Sequence, residues 1–132
     1  MPPPSKWRRL IGFVLTAYWT ALLVGTHWPQ LPAIGPENTD KVLHLTAYGG
    51  LAALLTLYVL AGRKMNWRRL AFIVLVLAVA GGLDELTQPP FHRTADWNDW
   101  FADLAGIGLG SLLGAWLNAR LIRWGNNQQS NA

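Results

Sequence analysis

Residues 68–88 read RRLAFIVLVLAVAGGLDELTQ. Two arginines open the stretch, and Leu70 to Leu83 contain nothing charged or polar. Asp84 and Glu85 then appear side by side. A run of this length reads as a membrane-crossing helix, which takes about 20 mostly apolar residues. The carboxylates are the anomaly. An ionised side chain inside the hydrocarbon costs about 2.5 kcal/mol or more at the helix centre, and less near its edge. Asp84 lies fifteen residues past Arg69, a rise of about 22 Å at about 1.5 Å per residue. Against a hydrocarbon core of about 30 Å, both acids fall short of the far surface.

The remainder of the chain fits the same reading. It has 132 residues, of which 52% are hydrophobic and 14% charged, against about 25% charged in typical soluble domains. The apolar residues come in long blocks, which predict helices over about 8–28, 41–61, 68–88 and 98–119. The expected fold is an all-α membrane protein, a bundle of four transmembrane helices in one domain over 1–124, with a disordered tail, GNNQQSNA, over 125–132. Pro29, Pro32, Gly35 and Pro36 break the first link, and Pro89 and Pro90 stop the third helix. The first block starts basic, as a signal peptide does. Its apolar region is long and no A-x-A site follows closely, so it is read as an uncleaved helix. Without cysteine there is no disulfide or thiol chemistry. The net charge of +4 is not gathered on a soluble face, so nucleic acid is not an expected partner.

Loop charges set the expected orientation. Lys6, Arg8, Arg9, Arg63, Lys64, Arg68, Arg69, Arg120 and Arg123 fall on one side, nine of the eleven basic residues. All seven acids, Glu37, Asp40, Asp84, Glu85, Asp96, Asp99 and Asp103, fall toward the other. Basic loops stay inside, so both termini are expected in the cytoplasm of a bacterial inner membrane, with the acids facing out. Trp7, Trp67, Trp116 and Trp124 fit an inner aromatic belt and Trp28, Trp97 and Trp100 an outer one; Trp19 fits neither.

Helical spacing then gathers the polar residues. Asp40, Lys41, His44 and Tyr48 share one face of the second helix, and Asp84, Glu85 and Gln88 cover a similar arc of the third. Asp96, Asp99 and Asp103 line up on the fourth, and the stripe continues as Gly106, Gly110 and Gly114. Such G-x-x-x-G spacing admits a second backbone at close range in lipid. The fourth helix is therefore expected to be central, with its acids facing protein. Gly81 and Gly82 predict a similar close contact on the third. The polar ends of helices two, three and four would converge on one pocket.

The segments DKVLHLTAYGGLA (40–52), GLDELTQ (82–88) and RTADWNDWFADLAGIGLGSLLG (93–114) resemble the VanZ-like family. Asp40, Lys41, His44 and Tyr48 match its Asp-Lys-x-x-His-x-x-x-Tyr pattern, Glu85 and Gln88 its acid three residues before glutamine, and Arg93, Asp99 and Asp103 its following residues in spacing. The first helix adds only topology. The link PPFHR lacks the glycine expected before the arginine. The resemblance implies a small bacterial membrane protein of the cell envelope and, through the namesake, an association with teicoplanin resistance, but no mechanism.

Three readings of the polar ring follow. The first is a binding site for a cell-envelope lipid, a cell-wall precursor or a membrane protein partner, formed by Asp40, Lys41, His44, Tyr48, Asp84, Glu85, Gln88, Arg93, Asp99 and Asp103. Lys41 and Arg93 would meet phosphate or carboxylate, and the acids amines or hydroxyls. The second is a membrane enzyme acting on an envelope lipid, with Glu85, Asp99, Asp103 and His44 as candidate catalytic groups. Those groups would work as acid and base, or around a divalent cation that favours oxygen ligands. No nucleophile elbow, zinc signature or phosphate loop supports it, so a binder is favoured over an enzyme and no cofactor is required. A proton-relay transporter would need charge at the membrane midplane, which these blocks lack. The third reading is pairing that only fixes helix packing, Arg93 with Asp99 or Glu85, and Lys41 with Asp84.

Overall fold

The computed structural model describes residues 5–28, 39–92 and 95–130. It is all-helical among these residues: α1 (Ser5–His27), α2 (Thr39–Leu60), α3 (Trp67–Thr87) and α4 (Trp97–Ser130), with a 3₁₀ turn at Pro89–Phe91 between the last two. All four helices are long and apolar enough to cross a membrane. A helix suits that setting because its backbone polar groups pair within the segment. Their outward faces carry Phe13, Leu43, Phe72 and Leu109, each more than 60% exposed. A bundle in water would bury such residues, whereas lipid tails solvate them.

The α2–α4 pair forms the main seam. A Cβ at Gly106 would collide with the Leu45 carbonyl, one at Gly110 with the Gly49 carbonyl, and one at Gly114 would meet the Ala53 carbonyl at 2.6 Å. The glycine stripe thus lets two backbones touch, as its spacing predicts. The expected hub differs. α2 packs against α1, α3 and α4, while α4 packs chiefly against α2 and α3. The reason is that α2 carries small residues on more than one face. Gly49 and Ala53 receive α4, and Gly50 receives the Tyr18 side chain of α1, whose hydroxyl donates to the Ala47 carbonyl at 3.0 Å.

One core cluster joins Leu15, Leu22, Tyr48, Leu51, Ala52, Ile73, Leu77 and Ile107, and Trp19 packs against it, which accounts for its place outside both belts. Trp100 also packs inward. Its indole donates to the Ala78 carbonyl at 3.0 Å, over the space left by Gly81 and Gly82.

The links are shaped by few residues. Gly62 ends α2 with φ 82°, and Asn66 caps α3 by accepting from the Arg68 N–H at 2.9 Å. His92 takes φ 61°, the left-handed conformation that glycine adopts without cost. The expected disordered tail is corrected: α4 continues through 125–130 to Ser130. No proline interrupts it, and extending a formed helix costs far less than starting one. The first link, 29–38, falls outside the described residues.

Candidate functional site: a buried histidine among carboxylates

Alternating helix directions bring the C-terminal ends of α1 and α3 and the N-terminal ends of α2 and α4 to the same end of the bundle. There Asp84, Glu85, Gln88, Asp99, Asp103, His44 and Tyr48 are all buried. His44 sits at the middle. Its Nδ1 lies 3.0 Å from Asp103 Oδ1 and 4.0 Å from Glu85 Oε1, and its Nε2 lies 3.7 Å from Asp99 Oδ2. One imidazole from α2 therefore faces carboxylates of α3 and α4.

Each carboxylate is placed by its helix. Glu85 accepts from the Gln88 amide at 3.1 Å through Oε1 and from the Asp96 backbone N–H at 3.0 Å through Oε2. The i, i+3 spacing on α3 makes the first bond, and the second ties the start of α4 to the end of α3. Asp96 itself caps α4, accepting from the Asn98 N–H at 2.8 Å, and is half-buried. Asp103 lies one turn deeper on α4 and is 0% exposed. Its Oδ2 faces the bare backbone of Gly81, where a Cβ would come within 3.4 Å of both that oxygen and the Tyr48 ring.

The hydrogen bonding is incomplete. Asp84 Oδ2, Asp99 Oδ1 and Asp103 Oδ2 are buried and accept no hydrogen bond among the described residues. A buried carboxylate oxygen without a donor is costly, and native structures retain few.

Sequence reasoning missed α1, which was expected to contribute topology alone. Thr26 donates to Asp84 Oδ1 at 2.9 Å, and His27 Nδ1 lies 3.5 Å from the same oxygen. His27 also meets the Thr87 hydroxyl at 3.0 Å through Nε2. The signal was present, since Thr-His ends an apolar block at the height where Asp84 ends another. Asp40 is exposed at the start of α2, where it lines the cleft between α1 and α2. Lys41 is half-buried, its backbone N–H bonded to the Asp40 carboxylate at 3.0 Å. Arg93 lies outside the described residues.

A cleft of about 260 Å³ opens between α1 and α2, lined by Leu22, Gly25, Thr26, Asp40, Leu43, His44, Ala47 and Tyr48. It connects the outer surface of the bundle with His44.

The chain matches no family model, no curated protein and no solved structure.

The geometry limits what the chamber can do. The imidazole lies between acids and can pass a proton between Asp103 and Asp99. His44, Glu85 and Asp103 also offer ligand atoms within 4.8 Å of one another, close enough to hold one cation. An anion would meet carboxylate oxygens unless a cation came first.

Proposed function

We propose that this chain is a VanZ-like membrane protein, and that its buried chamber binds the polar head group of an envelope lipid or a lipid-linked cell-wall precursor. The basic end is read as cytoplasmic and the chamber as facing the outer leaflet. The observation that carries the proposal is the cleft between α1 and α2. Its walls combine the apolar Leu22 and Leu43 with the polar Thr26, His44 and Tyr48, a mixture suited to the tail and the head of an amphiphile. Sites of this kind are mostly apolar, with a few placed polar groups that fix orientation. Among the described residues three buried carboxylate oxygens lack donors, and amine or hydroxyl groups of a ligand would supply them. The VanZ-like resemblance would extend the reading to the response to glycopeptides.

Photoactivatable envelope lipids in nanodiscs test the reading. A Cβ at Gly25 meets nothing within 4 Å, so Gly25→Trp would fill the cleft without disturbing the packing. The expected result is crosslinking at α1 and α2 beside the cleft, lost in Gly25→Trp at an unchanged melting temperature. Labelling spread evenly over the lipid-facing surface, or indifferent to Gly25→Trp, would reject the reading.

A further inference from the structure

We infer that His44, Glu85 and Asp103 form a binding site for a divalent first-row transition-metal ion. The inference rests on reading the chamber as a binding site and names the ion that would complete it. Three ligand atoms lie within 4.8 Å of one another, so a common centre lies no more than about 2.8 Å from each, near the lengths at which oxygen and nitrogen bind such ions. A mixed set of one imidazole and two carboxylates favours manganese, iron or zinc over magnesium and calcium, which take oxygen ligands alone.

Clustered acids do not make a metal site. The second observation is Asp103 Oδ2. The residue is 0% exposed, and that oxygen accepts no hydrogen bond among the described residues. A lone pair held this deep needs a proton or a cation, and the neighbouring His44 and Glu85 favour the cation by adding two more ligands.

The surroundings fit as well. Metal-bound imidazoles turn their second nitrogen to a carboxylate or carbonyl. With Nδ1 directed at Glu85 and Asp103, His44 Nε2 faces Asp99 at 3.7 Å. Glu85 is held in turn by Gln88 and the Asp96 N–H. Gly81 keeps α3 bare beside Asp103, and a side chain there would press on both Asp103 and Tyr48. A bound cation would offset the charge of the two acids and make the chamber receptive to a phosphate oxygen arriving through the cleft. The head group most favoured is then a phosphorylated one.

The test uses the full chain in detergent, stripped with chelator and titrated with Mn²⁺ under electron paramagnetic resonance. The expected result is saturation at one Mn²⁺ per chain, with pulsed spectra showing nitrogen coupling from an imidazole. His27→Gln with His92→Gln should preserve both, and Glu85→Gln should weaken binding by about tenfold or more. Absence of saturable binding, bound Mn²⁺ without nitrogen coupling, or full affinity in Glu85→Gln would overturn the inference. The coupling is read on the unaltered chain, so a variant that fails to fold leaves the test intact. No lipid is present, so cation binding without head-group binding would keep this inference and reject the earlier reading, and the reverse result would do the opposite.

Discussion

The two ends of the bundle treat polar residues in opposite ways. At the end where α2 turns into α3, the charges of Arg63, Lys64, Arg68, Arg69, Arg120 and Arg123 are all exposed. Asn118 is buried there with its hydrogen bonds complete, while Thr56 and Ser111, buried further along the α2–α4 seam, keep hydroxyls without a partner among the described residues. Asn118 accepts from the Gly62 N–H and donates to the Arg63 carbonyl, both at 2.9 Å, clasping the turn onto α4. At the other end Asp84, Glu85, Asp99 and Asp103 are buried, and three of them keep an oxygen without a donor among the described residues. The first arrangement is what packing requires. The second gathers several such carboxylate oxygens in one buried cluster, and the proposed binding reading draws on that capacity.

The largest effect is expected at the seam that holds both ends together. Gly110→Leu would drive a side chain into the Gly49 carbonyl, and backbone cannot step aside as a flexible side chain can. Chemical denaturation in micelles should record a loss of about 3 kcal/mol, and a smaller loss than for the same change at Gly108, where a Cβ would meet nothing within 4 Å, would break the account of the seam.

Asn118→Leu comes next. It removes both partners of the clasp and leaves a backbone N–H and a carbonyl unpaired, for a loss of about 2 kcal/mol by the same measurement. Thr26→Val takes one donor from Asp84 and should cost about 1 kcal/mol, with α3 otherwise unchanged. That variant sharpens the comparison from the chamber side, because it removes one hydroxyl bond of α1 to Asp84 and leaves the His27 contacts in place. Arg69→Gln should be smallest. Its side chain is exposed, and its removal should move stability by no more than about 0.5 kcal/mol.

Much of this was legible in the sequence, for physical reasons. Blocks of about 20 apolar residues have one stable form in lipid, so α1, α2, α3 and the start of α4 were readable to within a few residues. The stripe of Gly106, Gly110 and Gly114 announced a close backbone contact. The i, i+3, i+7 spacing of acids announced one face. His44, Tyr48, Glu85, Gln88, Asp99 and Asp103 do meet, because alternating helix directions bring the N-terminal ends of α2 and α4 and the C-terminal end of α3 together. What spacing could not give was the partner across each gap. Thr26 and His27 reach Asp84 only through the way α1 leans on α2 and α3, which no single-helix pattern encodes. Nor could it show that α2 is the hub, since Gly49 and Gly50 serve two different neighbours. Asp40 shares the helical face of His44 yet sits at the surface, because position along the helix sets burial as much as direction does. The end of α4 misled for a related reason. A polar sequence was expected to be disordered, but a helix already formed extends at little cost.

The central claim is that the acids of the chamber serve binding and not packing. Melting temperatures of Asp103→Asn and Asn118→Leu, taken side by side with the unaltered chain in the same detergent, test it most directly. Neutralising Asp103 removes one of several crowded carboxylates and leaves His44 near Asp99 and Glu85, so Asp103→Asn should melt at or above the unaltered chain while Asn118→Leu melts several degrees below it. If Asp103→Asn falls as far as Asn118→Leu, the carboxylates are holding the bundle together and the chamber is not a binding site.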